Sequence, residues 1–190
     1  ADDSRMAWAA ATFGGDIEVA GTINQLPSFD SVNQNVIELW FKMGTNDVST
    51  ASGYRLVIHQ TGSSTYNWKI ERLDAGVVLT TLANVDQAIS ANDEIFLEGK
   101  NDGSGTLTAY RNGTQILQTT DTTYKAQTGY LWLGGTKVTT TQVRFDDFKG
   151  GVTLADTEFP QWHTNSTNST VAGSSISHNI NWTDNSSLSS

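Results

Sequence analysis

The chain contains no cysteine, so neither a disulfide framework nor a thiolate metal site is available and stability must come from packing. Proline is almost absent: Pro27 and Pro160 are the two examples, and neither interrupts a segment with strand-like alternation. Basic residues are scarce as well, 11 lysines and arginines against 20 aspartates and glutamates, for a formal charge of −9. That balance argues against a nucleic-acid backbone or an anionic membrane surface as partner and favours solubility and divalent cations. No apolar run approaches the ~20 residues of a membrane span, so membrane insertion is not expected. The chain starts Ala1-Asp2-Asp3 with no initiator methionine and no basic region leading into an apolar stretch. A processed or excised segment is expected, produced by removal of a signal peptide or by trimming.

At 190 residues a chain can bury ~70% of its unfolded surface in one large domain. Hydrophobic residues make up 37%, a normal share where strands bury one face only. Alternating or short apolar runs recur at sandwich-like spacing: 16–23, 36–43, 54–60, 66–73, 77–82, 94–100, 106–111, 114–119, 129–134 and 142–148. Helical candidates are limited to Arg5–Thr12 and Asp86–Ser90, both short for independent stability. Asn112-Gly113 is the dipeptide of a type I′ hairpin turn. Asp74-Ala75-Gly76 joins two further strands, and Asn101–Gly105 is read as a flexible tip. The fold class expected is all-β, a two-sheet antiparallel sandwich.

Composition changes after Gly150-Gly151: the final basic residue is Lys149, and Ser, Thr and Asn dominate from Gln161 onward. The domain reading is a sandwich over 1–151 and, over 152–190, a linker with a C-terminal segment that either packs back on the sandwich or opens a truncated Ig-like domain. Glycosylation acceptors at Asn165, Asn168, Asn181 and Asn185 crowd this segment, with a further one at Asn112. They mark a glycosylated stalk or are a by-product of the Asn/Ser/Thr-rich composition.

Four pieces occur in order: Asp93–Gly105, Leu107-Thr-Ala-Tyr-Arg-Asn-Gly113, Gly129-Tyr-Leu-Trp-Leu-Gly-Gly135 and Val143-Arg-Phe-Asp-Asp-Phe-Lys-Gly150. Together they resemble the laminin-G-like, concanavalin A-like lectin and glucanase jelly-roll superfamily over about Ala1 to Gly151. The resemblance implies two curved antiparallel sheets, with ligands on a concave face or at the loop rim. Glycan-cleaving members carry Glu-x-Asp-x-x-Glu on one strand, where alternate positions put nucleophile and general acid on one face. That pattern is absent here; Glu94 and Glu98 share a face without a central aspartate. The expectation is therefore not an enzyme.

The most telling segment is Asn35-Val-Ile-Glu-Leu-Trp-Phe-Lys-Met43. Alternation places Ile37, Leu39, Phe41 and Met43 on one face and Glu38, Trp40 and Lys42 on the other. A polar face is then expected to gather Glu38, Trp40 and Lys42 with Arg55, Val57 and His59, and with Glu94, Phe96 and Glu98. Rings beside charged groups suit a sugar, the ring stacking on the pyranose while the charges bond its hydroxyls. The ligand-binding candidates are Glu38, Trp40, Arg55, His59, Phe96 and Glu98, unless Trp40 and Phe96 are covered by a loop or by the C-terminal segment. Tyr66 and Trp68 alternate with Ile70 as core. Of Tyr130/Trp132 and Leu131/Leu133, either pair could face inward. Asp3, Asp146 and Asp147 would hold one structural calcium ion if the terminal strands pair, or Asp146 bonds turn amides instead. His59, His163 and His178 are too scattered for a metal triad.

These features point to a non-catalytic recognition module on the outside of a cell or a virion, a lectin or adhesive domain binding a glycan or cell-surface polysaccharide. The alternative is a structural subunit of a filament, appendage or capsid decoration, engaged in self-assembly or attached to a larger surface protein.

Overall fold

The computed structural model describes residues 2–7, 11–26, 28–29, 36–47, 49–137 and 143–152, the side chains of 2–7, 136 and 137 excepted. The domain reading of 152–190 and the sequons at Asn165, Asn168, Asn181 and Asn185 thus lie outside the described residues, Val152 apart. Among the described residues eleven strands follow one another: β1 (Asp2–Ala7), β2 (Ile17–Gln25), β3 (Val36–Met43), β4 (Gly53–Gln60), β5 (Tyr66–Asp74), β6 (Val77–Asp86), β7 (Glu94–Gly99), β8 (Thr106–Arg111), β9 (Thr114–Thr120), β10 (Tyr130–Lys137) and β11 (Arg144–Val152). They form a six-stranded sheet, β1-β10-β3-β4-β5-β6, and a five-stranded sheet, β11-β2-β7-β8-β9, antiparallel at every pairing. Among the described residues neither helical candidate forms a helix. Arg5–Ala7 belongs to β1, and β6 runs to Asp86 before an irregular stretch over 87–90. Eight residues with no covering partner gain little as an isolated helix, whereas the edge of β10 supplies ladder bonds.

Between the sheets lies one core. Ile37, Leu39 and Phe41 of β3, Tyr54, Leu56 and Ile58 of β4, and Tyr66, Trp68 and Ile70 of β5 meet Ile17, Val19 and Ile23 of β2 and Ile95 and Leu97 of β7. Each fully buried large side chain contributes roughly 1.5–3 kcal/mol. Leu131 and Leu133 are the inward pair of β10, which leaves Tyr130 and Trp132 on the other face.

The alternation of β3 breaks at its end. Lys42 takes a left-handed φ of 54°, and the register against β10 shifts between Tyr130 and Trp132. Met43 consequently joins Trp40 in a second apolar cluster on the outer face, and Lys42 turns away, its Nζ donating to the carbonyls of Gly15 and Lys125 at 2.6 Å each. Gly53 of β4 and Gly129, just before β10, admit this kink. A Cβ at Gly53 would lie 2.6 Å from the Lys42 carbonyl oxygen, and one at Gly129 would lie 2.5 Å from its carbonyl carbon. The face assignment of Met43 and Lys42 is therefore the reverse of the alternation reading.

Both short hairpins form as expected, with positive φ at Asn112 and Gly113 and at Ala75 and Gly76. The 101–105 tip is pinned rather than loose: the Asp102 carboxylate accepts from the Thr106 hydroxyl at 2.7 Å and from the amides of Thr106, Ser104 and Gly105, bonds, that of the Thr106 hydroxyl foremost, that hold its pKa down at about 2.

Candidate functional site

The outer face of the six-stranded sheet carries four of the six ligand-binding candidates, and three of them are bound to one another. Register aligns Trp40 with Arg55 and Arg55 with Glu71. The Arg55 guanidinium donates to Glu38 Oε1 at 2.9 Å and to Glu71 Oε2 at 2.8 Å, and it stands 5.0 Å from the Trp40 ring centroid, within cation–π reach. Trp40 donates its Nε1–H to Glu38 Oε2 at 3.2 Å and stacks on Trp132 at 6.0 Å. Trp40 is 2% exposed. It sits on the face that alternation assigns it, but as part of a closed network rather than an open platform, packed against Glu38, Arg55 and Trp132. His59, at the far end of β4, is half-buried; burial and then Lys69 lower its pKa.

Phe96 and Glu98 are elsewhere. β7 belongs to the five-stranded sheet, so the single polar face expected from the sequence is divided between two sheets whose outer faces point apart. On this second outer face Glu18 pairs with Glu98, Ala20 with Phe96, Phe96 with Tyr110 and Glu98 with Thr108. The Phe96 and Tyr110 rings lie 5.2 Å apart, and Tyr110 Oη donates to Glu98 Oε2 at 3.3 Å. Lysines approach from the rim, Lys149 to Glu94 and Lys100 to Glu98, both at 3.7 Å.

Glu18 is the residue that sequence reasoning missed. It is 3% exposed, and its Oε2 is buried without a hydrogen-bond partner. Burial, then the charges of Glu98 and Glu94, push its pKa up to about 8. A glutamate alternating with Ile17 and Val19 reads as an ordinary outward residue; only the pairing of β2 with β7, distant in sequence, brings it beside Glu98.

The calcium expectation relied on the terminal strands pairing. They do not: β1 pairs with β10 and β11 with β2, in different sheets. Asp146 accepts a hydrogen bond from Asn24 Nδ2 rather than from turn amides, Asp147 takes a left-handed φ of 52° in the β11 bulge, and the side chain of Asp3 lies outside the described set. Among the described residues no three His, Asp or Glu side chains are grouped to hold a metal ion.

No family model and no curated protein matches the sequence. A carbohydrate-binding module of family 66 from Bacillus subtilis matches the structure with a TM-score of 0.55 at 16% identity, over 78% of this chain and 81% of that one. The fold is a two-sheet antiparallel jelly roll of that kind. Other jelly rolls align less closely: sheep galectin-11 in complex with glycerol at a TM-score of 0.44 and 10% identity, over 76% of this chain and 98% of that one, and a family 16 endo-glucanase from Bacteroides ovatus at 0.48 and 13%, over 69% and 59%. At such identities the likeness speaks for the fold.

Proposed function

We propose that this jelly roll is a non-catalytic glycan-recognition module of a cell or virion surface, and that its ligand meets the outer face of the five-stranded sheet. The observation that carries the reading is Glu18, a buried carboxylate with an unpartnered oxygen beside Glu98 and the Phe96–Tyr110 ring pair. Protein interiors rarely leave an acceptor in that state; Phe96 is 3% exposed, so the half-buried Tyr110 is the ring left to meet a pyranose. The carbohydrate-binding module of like fold supports it. Recognition is favoured over hydrolysis because no strand carries Glu-x-Asp-x-x-Glu.

Isothermal titration of the wild type, Tyr110→Ala and Trp40→Ala with a panel of neutral and amino-sugar oligosaccharides tests the site. Binding is expected to weaken at least about tenfold in Tyr110→Ala and to persist in whatever fraction of Trp40→Ala folds. Silence across the panel would remove the reading.

A second reading, self-assembly, is favoured by the edge strand β6, where Val77 and Leu79 are 62% and 54% exposed. Three successive exposed apolar residues at an edge suit pairing with a second copy, although the two bulges against β5 limit its length. A solution mass that rises with concentration and returns to monomer in Leu79→Lys supports it; a constant monomer counts against it.

A further inference from the structure

One margin of the sandwich carries no charge. β6 closes the six-stranded sheet and β9 the five-stranded sheet, and the two edges lie together, the Thr119 hydroxyl donating to the Leu82 carbonyl at 3.4 Å. Neither 77–85 nor 114–120 contains an aspartate, glutamate, lysine or arginine, in a chain of formal charge −9. Val77, Val78 and Leu79 are exposed here, and Leu82, Val85, Ile116 and Leu117, which pack against the core, are half-buried. Edge strands are ordinarily guarded by charge or proline. Among the described residues no strand pairs with β6 on its far side, and the length left open before Leu82 is 77–81.

Such an edge suits a short strand with one apolar face. Residues 175–182, outside the described residues, read Ser-Ile-Ser-His-Asn-Ile-Asn-Trp. Extended, they would put Ile176, His178, Ile180 and Trp182 on one face and Ser175, Ser177, Asn179 and Asn181 on the other. β11 ends at Val152, and residues 153–174 span up to about 70 Å when extended, enough to reach either margin of the sandwich. We infer that residues 176–180 add to the 77–81 edge of β6 in the same molecule, with Ile176 and Ile180 toward the half-buried side chains of the margin. Two features favour the chain's own segment over the β6 of a second copy. The register shifts against β5 give β6 two bulges, so two copies of β6 would meet along irregular edges. A tethered segment, by contrast, is presented at an effective concentration of roughly millimolar. The face proposed for the glycan lies on the other sheet and is untouched, whereas self-assembly through β6 competes for the same edge.

The experiment is hydrogen exchange of the full chain followed by NMR, with sedimentation at several concentrations. In the wild type, the amides of 77–81 that do not donate to β5 are expected to be protected, equally at every concentration, in a chain that sediments as a monomer. Ile176→Asp/Ile180→Asp should exchange these amides at least about tenfold faster, with those of 54–58 in β4 unchanged as the check on folding. Ser177→Asp/Asn179→Asp, on the polar face, should keep the protection. Fast exchange at 77–81 in the wild type, or equal exchange in the wild type and the isoleucine variant, would overturn the inference. Equal losses in the two variants would overturn the assignment of faces. Protection that appears only as the mass rises with concentration would overturn the intramolecular strand in favour of pairing between copies.

Discussion

The outer faces of the two sheets are made of the same materials, glutamates beside aromatic rings, and differ in one respect: on the second, a buried carboxylate oxygen of Glu18 has no hydrogen-bond partner. On the six-stranded sheet, Arg55 stands between Glu38 and Glu71 and over Trp40, so two buried acids share one cation and the Trp40 indole bonds Glu38, although the Nε1 of its stacking partner Trp132 is buried without a partner. On the five-stranded sheet Glu18 confronts Glu98 with an oxygen unpartnered. A satisfied network is what stability selects. An unsatisfied one persists at a cost in stability, which is why the second face and not the first is read as the site.

The sharpest way to break this contrast is to remove one charge from each face. Arg55→Ala would leave Glu38 and Glu71 buried without their cation and uncover Trp40; a loss of about 3–5 kcal/mol in urea unfolding is expected at pH 7. A loss under about 1 kcal/mol would mean that the network is decorative and the comparison unsound.

Removing a charge from the other face should have the opposite sign. The folded-state pKa of Glu18, about 8, lies above the ordinary 4.5, so the folded protein holds this proton more tightly than the unfolded chain. The associated stability is full below about pH 4.5 and disappears as pH rises through about 8. Glu18→Gln abolishes that dependence. The variant and the wild type should differ little at pH 4, and by pH 9 the variant should be more stable, by up to about 5 kcal/mol. Thermal melts of both proteins across this range measure the difference; curves that stay parallel would show that Glu18 ionises normally.

The course of the strands and the facing of most side chains were legible in period-two alternation, as Ile37, Leu39 and Phe41 inward and Trp40 outward demonstrate. Three features were not. The kink at Lys42 is invisible in a segment that alternates without a fault; its trace lies in Gly53 of β4 and in Gly129 just before β10, which become neighbours of Lys42 only after folding. Alternation reports a side and never a sheet, so Phe96 was grouped with Trp40 although they face opposite directions. Nor does a polar face reveal whether its charges meet water or one another. The enclosure of Trp40 depends on Arg55 from the next strand, and the strain on Glu18 depends on Glu98, 80 positions away in a chain of 190.

The smallest effect is expected from Tyr110→Phe, which keeps the ring and removes the hydroxyl that donates to Glu98 at 3.3 Å. That bond is long and its donor half-buried, so its loss should cost about 1 kcal/mol or less. The ring against Phe96 remains. If stacking carries the contact with sugar, affinity in Tyr110→Phe should fall by no more than about threefold, where Tyr110→Ala loses about tenfold. Equal losses in the two variants would transfer the role from the ring to the hydroxyl, and the face would then recognise its ligand through hydrogen bonds to Glu98 and its donors rather than through an aromatic surface.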